Sequence, residues 1–394
     1  MGRTVKLVLL DTLGVPLGAL PPFDVSVPWW PEVEEVVAGA RSRYGIEVQV
    51  LRLLTASGAT AATGGGTVTY LAQLAGSPPI AVEPADPDLS PQPCRAPYAE
   101  PGGPAASIRW AIAALDALGS PNAVATQRKT WNLSAIWRLD VAGAPVAWLK
   151  QVPEFFAHEP AVLGLVAGVA PGLVPPLLAA GSQGRMLLAH VPGEDGFGAG
   201  AGVRAEIAAE WHPVQEHFAD RVDDLLAVGL PDARLAVEPF ARVAAGHRAD
   251  VDGLGELIDE LPRRLERIAA CRLPDTIVHG DLHPGNARIR AGAPAVIMDW
   301  GDASVGHPAD DILRLTEGLP GTEAEALTAA WALRWRAARP DSDPQLAAEL
   351  MRPVFHLRRA VIYADFVAKI EPAEHPYHAA DVREGLTAAV AAVR

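Results

Sequence analysis

The chain has 394 residues, 49% hydrophobic and 20% charged, which excludes an intrinsically disordered polymer and leaves room for two or three domains. A formal charge of −14, with no basic run to offset it, argues against a nucleic-acid partner, because phosphate neutralisation needs clustered Lys and Arg. The two cysteines, Cys94 and Cys271, make neither a metal-ligand spacing nor a disulfide framework, so a reducing, cytoplasmic setting is expected.

In chain order, residues 5–10 predict a strand without a cleavage signal, 30–44 a helix, 47–54 a second strand, and 67–75 a third after the Gly64-Gly65-Gly66 turn. Together they read as a small α/β domain over residues 1–76. Residues 77–104 carry nine prolines, too many for regular backbone hydrogen bonding, and read as an extended, semi-rigid linker. A helix over 105–118 is stopped by Gly119-Ser120-Pro121, and strands over 133–141 and 146–151 flank a turn at 142–145. Lys150 stands near the end of the second of these strands. By itself it is equally an edge lysine in solvent.

Glu159 opens a helical segment over 161–167. The charge-free run 161–181 is interrupted by Pro171, Pro175 and Pro176, so no membrane role is expected. Residues 184–193 read as a strand running into a connector. The pattern then turns mainly helical over 203–217, 220–228 and 254–270, with Trp211-His212-Pro213 expected to break the first of these. Glu206, Glu210, His212, Glu216 and His217 read as a solvated face or acceptor-pocket lining rather than a metal site. Helices over 323–338, 344–369 and 377–393 close the chain.

The stretch with chemistry is 278–300. Asp281, Asn286 and Asp299 are expected on two short strands, 287–290 and 295–298, whose turn at 291–294 brings all three together. A carboxylate five residues before a carboxamide can orient a hydroxyl while the amide holds a cation, and a second carboxylate can bridge that cation to phosphate oxygens. Magnesium accepts such hard oxygen ligands and keeps waters, so one Asn and one Asp suffice.

His279-Gly280-Asp281-Leu282-His283-Pro284-Gly285-Asn286 and Asp299-Trp300-Gly301-Asp302 resemble the catalytic and metal loops of the aminoglycoside phosphotransferase and choline kinase superfamily. The resemblance implies an α+β, bilobal protein-kinase-like fold, with a β-rich N-lobe and hinge over 105–193 and a helical C-lobe over 194–394. It implies a small-molecule kinase using ATP, with GTP equally admitted by the side chains, and Mg2+. Asp281 would be the catalytic base, Asn286 and Asp299 the metal ligands, and Lys150 paired with Glu159 the phosphate anchor. Leu188, Ala189, His190 and Val191 would present backbone groups to the adenine ring. The loop 128–134 lacks the glycine pattern of protein kinases; in the resemblance it covers the phosphates with its amides and Ser134, although a plain hairpin end fits as well. His279 and Asp311 would support the catalytic loop, the latter position being equally compatible with a helix N-cap.

The resemblance implies a small hydroxylated acceptor, an aminoglycoside, amino sugar, sugar or amino-alcohol, and the acidic balance favours a cationic one. Antibiotic resistance is among the roles the family implies. Residues 1–76 weakly resemble a Nudix-type unit, but Ser42 and Arg43 stand where that chemistry needs glutamates, so an accessory role is expected. A nucleotide-binding partner module without turnover, and a nucleoside-diphosphate hydrolase working through residues 1–76, are the other readings; nothing in the sequence sets the oligomeric state.

Overall fold

The structure is a computed structural model that describes residues 2–58, 64–74 and 80–393. Ala75 of the third expected strand and residues 77–79 of the expected linker lie outside these. The chain divides into two compact units, one of Met1–Ala157, Leu177–His190 and Phe366–Ala379, the other of His158–Pro176, Val191–Asp365 and Ala380–Arg394.

The first unit holds two sheets. In one, β1 (Arg3–Leu10), β2 (Pro16–Ala19), β3 (Phe23–Val25), β4 (Val48–Ser57) and β5 (Thr67–Leu74) run in the order β2-β1-β5-β4, with β3 also on β1. Strand β1 is apolar on both faces because both are covered. Val5, Leu7 and Leu9 pack with Val33, Val36 and Ala40 at helix α1 (Glu34–Tyr44), whereas Val8 and Leu10 join Leu51 and Leu71. The helix expected from residue 30 begins at Glu34. Pro31 disfavours helical geometry at Trp30, and the Trp30 side chain is in the core. Gly45, at φ 67°, closes α1 by donating its N–H to Arg41 O.

The second sheet is antiparallel, ordered β6-β7-β8-β10-β9, from β6 (Val124–Trp131), β7 (Ser134–Val141), β8 (Ala144–Gln151), β9 (Leu177–Ala180) and β10 (Arg185–Ala189). Its apolar face, with Trp137, Leu139 and Leu149, packs on Ala111 and Leu115 of α2 (Gly103–Ala117). The turn expected over 142–145 is only Ala142-Gly143, both at positive φ (51° and 81°), the arrangement that matches strand twist in a two-residue hairpin.

Most of the loop expected over 128–134 is strand. Its polar pattern hid β6 because its polar groups find partners outside its own sheet. The buried Gln127 accepts the Val50 N–H (2.8 Å) and donates to Val50 O (2.7 Å), and Thr130 N–H donates to Pro31 O (2.9 Å). A carboxamide thus does the work of a neighbouring strand.

The second unit is mainly helical: α3 (Glu159–Val169), α4 (Ala201–Phe218), α5 (Val222–Ala227), α6 (Val237–Ala245), α7 (Leu254–Ala270), α8 (Ala309–Thr316), α9 (Gly321–Ala338) and α10 (Pro344–Val367). The one-turn α11 (His375–His378) belongs to the first unit, and α12 (Asp381–Ala391) returns to the second. The expected helix over 377–393 is therefore broken in two. Between helices lie β11 (Glu194–Asp195), the hairpin β13 (Ala287–Arg290) and β14 (Ala293–Ile297), and the pair β12 (Thr276–Val278) and β15 (Ser304–Gly306).

Pro213 does not break α4, contrary to expectation. A helical proline costs about 3 kcal/mol, while burying Ile207, Trp211, Val214 and Phe218 along one face contributes roughly 1.5–3 kcal/mol for each residue. His212 is buried against the Trp335 ring (4.9 Å) and is not part of a solvated face. No helix among the described residues is long and apolar enough to cross a membrane.

Candidate active site

Strand β12 ends at Val278, and the chain turns sharply through His279 and Gly280. Gly280 has φ 84°, and a Cβ there would lie 2.3 Å from Asp302 O, so only glycine fits. The His279 Nδ1 accepts the Asp281 N–H (3.3 Å), which leaves Nε2 to donate to Met298 O (2.9 Å). Complete burial pushes the His279 pKa down to about 4, so the ring is neutral, and it lies 4.5 Å from the Trp300 ring.

Asp311, on α8, braces this turn from within the protein. Its carboxylate accepts the backbone N–H groups of His279 (2.9 Å) and Gly280 (3.1 Å), the Trp211 indole N–H (2.7 Å) and the Gln215 amide (3.1 Å). Burial pushes its pKa up to about 6 against the pull of these donors. It follows Pro308, the N-cap, by three residues and does not cap the helix itself.

Asp281, so placed, keeps 36% of its side chain exposed. The Asn286 Nδ2 donates to its backbone oxygen (3.0 Å) and its Oδ2 (3.2 Å). His283 Nδ1 accepts the Gly285 N–H (3.1 Å), so its Nε2–H faces Asp281 Oδ2 at 3.4 Å. Arg314 Nε donates to Oδ1 at 2.7 Å. Burial pushes the Asp281 carboxyl up, but His283 and Arg314 outweigh it and hold the group well below the usual carboxylate range.

Arg314 also pairs with Glu317, which Arg359 on α10 holds at 2.7 and 2.8 Å. Sequence reasoning passed over Arg314, Glu317, Arg359 and His283. The available signal was spacing: Arg314 follows Asp311 by three residues, which puts both on one side of α8.

The three oxygen-bearing residues sit on loops beside the strands rather than on them. Asn286 immediately precedes β13, and Asp299 follows β14 in left-handed backbone (φ 60°). The Met298 N–H donates to Asn286 O (2.7 Å), so Asp299 leaves the hairpin beside Asn286. Since Asn286 turns its NH2 toward Asp281, its amide oxygen is left for a hard cation, and with Asp299 the donor chemistry fits magnesium. Among the described residues no three His, Cys, Asp or Glu side chains gather as a metal site.

The other expected residues belong to several elements of the two units. Glu159, buried at the start of α3 in the second unit, accepts the Trp300 N–H (3.1 Å) next to Asp299. Lys150 belongs to the first unit, buried in β8 between Ile136 and Met186. Ser134 opens β7, and its Oγ accepts the Trp131 indole N–H (2.9 Å). Leu188 and Ala189 end β10. The His190 N–H donates to Val146 O (2.9 Å) while its Nδ1 accepts the Trp148 indole N–H (3.1 Å), and Val191 opens the second segment of the second unit.

Residues 145–360 match the sequence profile of the phosphotransferase enzyme family. Among solved structures, a choline/ethanolamine kinase family protein from Mesorhizobium loti superposes with a TM-score of 0.51 at 14% identity, covering 74% of this chain and 99% of that one. An apo macrolide 2′-phosphotransferase from Brachybacterium faecium gives 0.47 at 18% identity, covering 69% and 97%. The GDP complex of aminoglycoside 2′-phosphotransferase-IIIa gives 0.49 at 15%, covering 73% and 98%. No curated protein matches the chain in sequence. The fold is accordingly α+β and protein-kinase-like. Because the family match runs over more than half of its length, the chain belongs to the phosphotransferase enzyme family and is a phosphotransferase acting on hydroxyl groups.

Proposed function

We propose that the protein transfers the γ-phosphoryl group of ATP, with GTP as the other candidate donor, to a hydroxyl of a small cationic molecule such as an amino-alcohol or amino sugar. The observation that carries this reading is the Asp281 carboxylate, held on three side-chain donors yet open to solvent, with Asn286 against it. Lys150, oriented by Glu159, would hold the α/β-phosphates, Ser134 and the hairpin tip would cover them, and the backbone of Leu188 to Val191 would meet the base. Asn286 and Asp299 would hold magnesium, which when bound supplies charge neutralisation at the phosphate oxygens.

A carboxylate with so depressed a pKa is a weak base toward a neutral alcohol. Asp281 therefore orients the acceptor hydroxyl and takes its proton late, once bonding to phosphorus has made that proton acidic. The acceptor pocket proposed here has a volume of about 230 Å³ and is lined by Glu317, His356, Arg359, Tyr363, Asp381 and Glu384. Burial lowers the His356 pKa; Glu317 is paired with Arg314 and Arg359, and Asp381 and Glu384 add negative charge to the lining, which favours an amine-bearing acceptor. Residues 1–76 are read as an accessory unit, supported by Ser42 and Arg43 in place of glutamates.

The test is an ATP-consumption screen over aminoglycosides, amino sugars, amino-alcohols and neutral sugars, with Asp281→Asn as control. Turnover with a cationic acceptor, abolished in the control, supports the reading. Mg·ATP binding with no turnover on any acceptor overturns it.

A further inference from the structure

Fourteen residues from near the C-terminus, Phe366–Ala379, belong to the first unit and not to the helical unit that precedes and follows them in the chain. This strap, the link between α10 and α12, engages the tip of the β6–β7 hairpin, Asn132 and Leu133. The Asn132 N–H donates to both carboxylate oxygens of Glu374 (3.0 and 3.1 Å), and the Asn132 Oδ1 accepts the Glu371 N–H (3.1 Å). Each partner thus satisfies the other's backbone or side chain across some 240 positions of sequence.

The surroundings lock this exchange in place. Glu371 is held by Arg95 (2.9 Å) and lies 3.9 Å from Arg52. The Tyr98 hydroxyl donates to Trp131 O (2.9 Å), and Tyr377 of the strap lies 4.9 Å from the Trp30 ring, which meets Trp131 edge-on. A two-residue hairpin tip ordinarily stands in solvent, where water satisfies its backbone. Here Asn132 is 8% exposed and Glu374 1%. The tip, Trp131-Asn132-Leu133-Ser134, contains no glycine, so its backbone cannot adapt freely to a phosphate as a glycine-rich loop does. Its position is set from outside, by the strap.

We propose that Glu374 is a positioning residue for phosphoryl transfer: through Asn132 it fixes the β6–β7 tip, and with it Ser134, at the height required by the nucleotide phosphates. The inference rests on the reading that places Ser134 over those phosphates. A positioned donor contributes only while its scaffold is held within a fraction of an ångström, and Glu374 supplies that constraint.

The experiment compares the full-length protein with Glu374→Ala, Glu374→Gln, Glu374→Asp, Ser134→Ala and Leu9→Ala, reading the Kd for Mg·ATP by calorimetry alongside Tm. Glu374→Ala is expected to weaken Mg·ATP about tenfold, and Glu374→Gln by less than about twofold, because a carboxamide oxygen still accepts the Asn132 N–H. Glu374→Asp, one methylene short, shifts Kd in the same direction as alanine and stands in where the alanine variant does not fold. Leu9→Ala lowers Tm through the core of the first sheet and leaves Kd unchanged, which separates positioning from general destabilisation. The proposal is overturned alone when Ser134→Ala weakens binding while neither Glu374→Ala nor Glu374→Asp does. It falls together with the reading beneath it when Ser134→Ala leaves Kd unchanged.

Discussion

Arg314 Nε donates to Asp281 Oδ1 across 2.7 Å, and the same guanidinium is held from behind by Glu317. One oxygen of the proposed catalytic carboxylate is therefore committed to Arg314, and the other faces Asn286 and His283. Arg314→Met should lower kcat on the order of tenfold to hundredfold with the nucleotide KM little changed, and Arg314→Lys should recover part of the loss by restoring charge without the guanidinium geometry. With Arg314 gone the Asp281 pKa rises toward its ordinary value. The acidic limb of the kcat/KM profile then moves to higher pH, so the variant loses activity earlier on acidification; unchanged steady-state rates and limb position would contradict the role.

Asp281→Asn removes the group that orients the hydroxyl and receives its proton. Turnover should fall by roughly 10³-fold while the Kd for Mg·ATP stays within about threefold. Equal losses in turnover and nucleotide affinity would argue against the assigned role.

Gly280→Ala places a Cβ against Asp302 O in left-handed backbone. The expected cost is about 1–3 kcal/mol of stability, read as a lower Tm, together with a drop in kcat as the Asp281 turn shifts. Retention of wild-type Tm and kcat would show that the turn tolerates a different path.

The pH dependence of stability should carry opposing contributions. His279, its pKa lowered by burial to about 4, binds more protons when unfolded between pH 4 and 6.5, so its contribution is lost as pH falls through that window. Glu374, raised by burial to about 8, binds more protons when folded, so its contribution is lost as pH rises from about 4.5 to 8. Between pH 6.5 and 8 the wild type should lose up to about 1.4 kcal/mol per pH unit from this one group, and Glu374→Gln should flatten that slope. Chemical denaturation at several pH values checks both signs.

Gln127→Ala strands the Val50 N–H and C=O in a buried setting. A loss of about 2–4 kcal/mol is expected, visible as an earlier urea midpoint with unchanged slope.

Short-range chemistry was legible in the sequence alone. Asp281 and Asn286 are five residues apart, and the hairpin after them follows from turn chemistry, so the loop that carries the proposed site could be located without any tertiary information. The same holds for Leu254–Ala270, whose apolar spacing places the helix at both ends. What tertiary structure decided involves partners far apart in the chain. Polar β6 is a strand because Gln127 finds Val50, 77 positions away; α4 survives Pro213 because Trp211 and Phe218 are buried; and residues 366–379 join the first unit, where Glu374 meets Asn132. Periodicity records which face of an element is apolar. It does not record which distant donor will meet a given carboxylate, and burial makes that meeting decisive, since a buried polar group without a partner costs more than local propensity can offset.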